Sequence, residues 1–135
     1  AIPKIPDDRD GWVLFSMGLT ASLGPWGISY AANLTPDDTG IGNWTFEQFK
    51  TAIRKGKYKG LEGSRPLLPP MPWQQFRNFP DHDLEAIFTY LQSIKPVKNL
   101  VPAPLSPDQV TALNNVSLVE PVARISKNEG LHKKR

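Results

Sequence analysis

Cysteine is absent from all 135 residues. Disulfides and thiolate metal centres are thereby excluded, and sulfur usage says nothing about redox compartment. No apolar run approaches the roughly 20 residues that a membrane-spanning helix needs, so no transmembrane segment is expected. Neither sign of charge dominates: 16 basic and 13 acidic residues leave a net +3. Several of the basic residues (Arg124, Lys127, Lys133, Lys134, Arg135) crowd into the C-terminal end. The body is therefore near neutral, which argues against a nucleic-acid groove and makes the basic end a solvated tail. No paired carboxylates, Ser-His-Asp set or phosphate loop is present, so the chain is not expected to be an enzyme by itself. The sequence starts at Ala1 without an initiator methionine or signal-like regions, the expectation for a mature, processed or trimmed species.

What is abundant is proline, 14 residues, together with 10 glycines. Such a chain is loop-rich and builds a modest core, for which a cofactor or partner is a natural source of further stability. The densest stretch is Arg65-Pro66-Leu67-Leu68-Pro69-Pro70-Met71-Pro72-Trp73. Its prolines fix φ and remove backbone donors, so the segment is neither helix interior nor central strand. At its middle Met71, one of two methionines, sits between Pro70 and Pro72. Two readings of it are open: flexible core filler, or a soft thioether ligand for a metal.

Residues 1–13 read as an extended lead-in, and Trp12 to Phe15 as an apolar run too short to assign. Glycines and Pro25 break up Met17 to Tyr30, which is expected to be irregular backbone wrapped over something apolar. Trp26 and Tyr30 provide large flat surfaces there, each with a polar tip. Asn33 to Gly42 is turn chemistry. Its acidic pair lacks the alternation and terminal Glu of a calcium loop. Three Asn-x-Ser/Thr triplets (Asn33, Asn43, Asn115) are too short a pattern to carry weight.

Two helices are expected with definite ends. The first is capped by Thr45 with Gln48, carries Phe46, Phe49, Ala52 and Ile53 on one stripe, and stops at Gly56. Lys50, Arg54, Lys55, Lys57 and Lys59 make it basic: a solvated face, or a docking surface for an acidic redox partner. The second runs from Asp81 to Ile94 behind Pro80, with Leu84, Ile87, Phe88, Leu91 and Ile94 as its stripe. That stripe is wider than the first helix covers and asks for a further packing element. His82 lies off it, a surface position, and His132 is the weakest ligand candidate in the chain. Ser106 and Gln109 suit the start of a short helix to about Asn114. Beyond it only Val119, Val122 and Ile125 break a polar tail.

Five motifs in order carry a resemblance: Gly-Pro-Trp-Gly (24–27), Ala-Ala-Asn-Leu-Thr-Pro-Asp (31–37), Thr-Gly-Ile-Gly-Asn-Trp-Thr (39–45), Arg-Pro-Leu-Leu-Pro-Pro-Met-Pro-Trp (65–73) and Ile-Phe-Thr-Tyr-Leu-Gln-Ser-Ile-Lys-Pro-Val-Lys-Asn (87–99). Over residues 14–104 the chain resembles the bacterial single-haem cytochrome c family. The resemblance implies an all-α, loop-rich cytochrome c-like fold around one haem c, in an electron carrier or cytochrome subunit of the periplasm or cell envelope. It implies Met71 as distal iron ligand, Trp26, Tyr30, Asn33, Pro70 and Trp73 along the haem or its propionate edge, and Arg65 as a propionate partner. It divides the chain into a lead-in (1–13), a partial cytochrome c-like domain (14–104) and a tail (105–135). The family's Cys-x-x-Cys-His segment, which fixes the haem and supplies the proximal histidine, is absent, as is the family's first helix. Three arrangements accommodate this: a split or cleaved cytochrome whose haem-bearing segment lies on another stretch or companion chain; a haem-free structural or interaction module; or non-covalent haem with the proximal ligand from a partner.

Overall fold

A computed structural model describes residues 11–117. Of the sequence expectations, most of the lead-in, the hydrophobic positions Val119, Val122 and Ile125, His132 and the basic end fall outside the described residues.

The described residues open with a three-stranded antiparallel sheet in the order β1 (Leu14–Phe15), β2 (Ala21–Gly24), β3 (Gly27–Tyr30). The expected all-α fold is therefore incorrect, and so is the expected irregular backbone across Met17 to Tyr30. The reason lies in which residues face inward. Ser22 and Gly24 on β2, and Gly27 and Ser29 on β3, are the buried positions, whereas Leu23 and Ile28 are only half-buried. Small and polar residues occupy the inner face, so the apolar alternation that signals a half-buried strand is inverted. Ser16 closes the first turn, where its hydroxyl accepts from the amides of Thr20 and Ala21, both at 3.1 Å. Pro25-Trp26 closes the second, between the paired residues Gly24 and Gly27.

Helix α1 (Phe46–Lys55) has the expected capping box: Thr45 accepts from the Gln48 amide at 3.2 Å while Gln48 Oε1 accepts from the Thr45 amide at 3.0 Å. Gly56 ends it in the left-handed region (φ 62°), where a residue without Cβ is unstrained. A 3-10 turn (Tyr58–Gly60) follows, then the proline segment, and a single turn α2 (Trp73–Phe76) that the sequence pattern does not anticipate. Its signal is Trp73 and Phe76 three apart immediately after Pro72. Helix α3 (Asp81–Ser93) packs on α1 through Phe88, whose ring centroid lies 5.3 Å from Phe49 and 6.1 Å from Phe46. Leu84, 1% exposed, is the most deeply buried residue of α3. Of the stripe on α3, Ile87 stays exposed, and no second helix covers it among the described residues.

Arg54 clamps the two helices. Its guanidinium donates to the carbonyls of Arg77 (2.9 Å) and Phe79 (2.8 Å) and pairs with Asp81. Lys50 bridges Glu47 at 2.9 Å and Asp81 at 3.5 Å. The Arg54 guanidinium holds the Asp81 carboxyl below its ordinary value, and the Glu47 carboxylate raises the Lys50 ammonium. Part of the basic face is thus internally compensated.

Helix α4 (Pro107–Ser117) has the Ser106/Gln109 box expected at its start. Residues 105–117, assigned to the tail by sequence, return to the sheet. Leu105 and Ile28 exchange two backbone hydrogen bonds of 2.9 Å, and Val110 is 2% exposed. Gly27 is required at this join: a Cβ there would lie 2.0 Å from the Leu105 carbonyl oxygen.

Candidate functional site

The proline segment is an arch pinned along its length. At its start the Tyr58 amide donates to the Arg65 carbonyl at 3.0 Å, and the Leu67 amide donates to the Gly56 carbonyl at 2.7 Å. In the middle the Pro69 carbonyl accepts from Ser29 Oγ at 2.5 Å, tying the arch to β3. At its end the Trp73 indole covers Gly56, where a Cβ would meet Trp73 Cε2 at 2.3 Å. The Pro69–Pro70 peptide is cis. Met71 follows between the last two anchors, 37% exposed, with its amide on the Leu68 carbonyl at 3.3 Å.

Ser29 is the junction that sequence reasoning missed. Its hydroxyl has one proton and two acceptor sites. The proton goes to Pro69. Trp26 Nε1 donates to the oxygen at 3.2 Å, and Ser22, directly opposite on β2, lies at 2.7 Å. With Ser29 already donating, Ser22 must be the donor in that pair. A buried polar group so fully satisfied is a stable fixture. The only signal for it is a serine at matching distance on each side of Gly-Pro-Trp-Gly.

The remaining candidate residues are placed unequally. Trp26 joins the arch through Ser29, its ring folded over Gly24. Tyr30 ends β3, half-buried. Pro70 is exposed beside Met71. Arg65 stacks on the Tyr58 ring, 4.0 Å from its centroid, and donates to the Pro66 carbonyl at 3.0 Å. Asn33 works at a different join. Its amide donates to the Val97 carbonyl (2.8 Å), Thr39 Oγ1 (3.2 Å) and the Asn99 carbonyl (3.3 Å), and its oxygen accepts from the Thr35 amide (3.1 Å) and hydroxyl (2.8 Å). Asn33 thereby ties the turn region to the segment after α3. Within that region the Thr39 hydroxyl and amide hold the Asp37 carboxyl below its ordinary value.

For a haem c, the donor set on this chain is one-sided. Met71, a partly exposed residue on an anchored arch, offers a soft, neutral thioether of the kind that serves as a ligand to iron. No thiol exists in the sequence for covalent attachment. Among the described residues the histidine is His82, a surface side chain 80% exposed and paired with Asp83 at 3.1 Å. The thioether of Met71 is chemically suited to iron; covalent attachment and a second ligand do not come from the described residues. No group of three His, Cys, Asp or Glu side chains capable of holding a metal occurs among them either.

Comparison with known proteins decides the family. The chain is 37% identical over 105 residues to the fructose dehydrogenase cytochrome subunit of Gluconobacter japonicus, covering 73% of this chain and 21% of that protein. It is 34% identical over 99 residues to the gluconate 2-dehydrogenase cytochrome c subunit of Pantoea cypripedii, covering 68% and 22%. The chain is a member of the cytochrome c-like family. A nicotinate dehydrogenase subunit of Pseudomonas putida matches at 42% over 80 residues, covering 58% of this chain and 6% of that protein. The cytochrome c-like chain thus spans about a fifth or less of the length of these curated relatives. No family model matches it. No helix among the described residues is long and apolar enough to cross a membrane.

Proposed function

We propose that this chain is an electron-transfer element of a bacterial dehydrogenase complex in the periplasm or cell envelope. It supplies the distal, methionine-bearing side of a haem c site. The Cys-x-x-Cys-His segment lies on another stretch of polypeptide or on a companion chain, which is also where the proximal ligand originates. The observation that carries this reading is the anchoring of Met71, because a thioether that merely fills space needs no arch fixed on both sides of it. When bound, the haem supplies an iron that takes up and releases one electron.

The chain's own residues set the conditions for that exchange. Met71, a neutral sulfur, favours the reduced iron and so raises the potential. Trp26 and Trp73, the indoles that meet the arch at its middle and its end, would wall the haem, with Tyr30 and Pro70 along its edge; Asn33, committed to the Val97 and Asn99 carbonyls, braces the turn region instead. Arg65, held by Tyr58, has guanidinium donors left for a propionate. No bond is made or broken by the chain, so it acts as an electron carrier and not as the catalyst of the complex.

A pyridine haemochrome assay on purified material containing this chain tests the reading. A c-type band is expected, and Met71→Ala is expected to shift the visible spectrum and lower the potential. Folded, intact material without a haem band overturns the proposal. It then favours a haem-free interaction module, a second reading motivated by the absence of cysteine and by the exposed apolar residues Phe15, Met17, Leu19 and Ile87.

A further inference from the structure

We propose that Ser29 is the positioning residue for Met71, holding the arch in register through its hydrogen bond to the Pro69 carbonyl. The inference rests on the reading of Met71 as a ligand, but the contact itself does not. Between the anchors at Leu67 and Trp73 the segment has no ladder of its own, since its prolines carry no amide proton. Ser29 holds the middle of the arch by its side chain, reaching from a strand 40 positions earlier in sequence. Trp26 and Ser22 occupy its acceptor sites, so its single proton has no competing direction. Leu105 in turn pairs with Ile28, the neighbour of Ser29, and fixes β3 from the other edge. The chain of contacts Leu105, β3, Ser29, Pro69 links the position of α4 to that of the arch carrying the thioether.

Ser29 and Ser22 separate positioning from plain stability. Both are buried and bonded to each other, but only Ser29 reaches the arch. Hydrogen exchange at the Met71 amide, normalised to the Leu84 amide in the core, is compared in wild type, Ser29→Ala, Ser22→Ala and Ser29→Thr on the full chain. Ser29→Ala is expected to speed Met71 exchange roughly tenfold over Leu84, the equivalent of one lost hydrogen bond. Ser22→Ala is expected to lower the unfolding midpoint while leaving that ratio within about twofold of wild type, and Ser29→Thr, which keeps the hydroxyl on a strand-compatible residue, to restore it. Should Ser29→Ala not fold, Ser29→Cys, with its weak donor, takes its place in the same comparison. A ratio unchanged on losing the Ser29 hydroxyl, or changed equally by Ser22→Ala, overturns the inference. In haem-bearing material, Ser29→Ala is also expected to accelerate displacement of Met71 by imidazole about tenfold. Material without haem defeats the electron-transfer reading and leaves the exchange comparison to decide the role of Ser29.

Discussion

Trp73 lies flat against Gly56: a Cβ on Gly56 would come within 2.3 Å of Trp73 Cε2 and 2.7 Å of its Nε1. Two requirements coincide at one position, because Gly56 also holds φ 62° as the cap of α1. Gly56→Ala therefore adds left-handed strain to displacement of the indole, and a loss of about 2–4 kcal/mol is expected in urea denaturation. The ring should also leave its packed environment, seen as a red-shifted tryptophan emission. A loss below about 0.5 kcal/mol, the size of an ordinary surface effect, contradicts this packing.

Asn33 offers a test of donor chemistry. Its amide nitrogen faces two carbonyls and the Thr39 hydroxyl. Asn33→Asp places a carboxylate oxygen against the Val97 and Asn99 carbonyls, replacing attraction by repulsion. It is expected to destabilise by about 2–3 kcal/mol, more than Asn33→Ala, since an unmet acceptor pair costs more than a missing group. Equal losses for the two variants contradict the assigned amide orientation.

Asp81 and Asp37 bear on acid stability. Both carboxyls are held below the ordinary 3.8, Asp81 first by the Arg54 hydrogen bond and Asp37 first by the Thr39 hydroxyl. A depressed folded-state value stabilises the fold above the unfolded-state value and is lost as pH falls through the folded one. The urea midpoint is therefore expected to be steady above 3.8 with respect to these two groups and to fall on acidification below it. The double variant Asp37→Asn, Asp81→Asn should flatten that acid limb. An acid limb of unchanged steepness in the double variant contradicts their contribution.

Val110 reports whether α4 belongs to the folded unit. It is 2% exposed on the helix that packs against β3, and truncating a buried valine to alanine removes about 2 kcal/mol. Val110→Ala is expected to lower stability by that amount in one cooperative transition. A separate early transition, or no change, would mean that α4 docks independently of the sheet.

How far the chain was legible depends on where each determinant sits in sequence. The capping pair Thr45 and Gln48 and the stop at Gly56 are local: each is satisfied by residues within a turn or two, so their pattern survives reading one residue after another. The same holds for the Asx turns at Asn33 and Asp37 and for the helix started by Ser106 and Gln109. The motif order around Met71 pointed to the cytochrome c-like family without any coordinates. The sheet was illegible for a physical reason. Ser22, Gly24, Gly27 and Ser29 are buried because a backbone and a hydroxyl network fit there, not because they are apolar. Single-residue hydrophobicity carries no trace of that.

Helix ends, turn chemistry, the exclusion of helix and central strand from the proline segment and the want of any thiol are therefore properties of the linear chain. They follow from backbone restriction and side-chain type at each position. Folding was needed to bring Ser29 to Pro69, to seat Trp73 on Gly56, to bind Asn33 to the segment after α3, and to close Leu105 on β3. Each of these joins residues far apart in the chain. Its energy comes from desolvated hydrogen bonds and close packing that exist only once both partners are brought together.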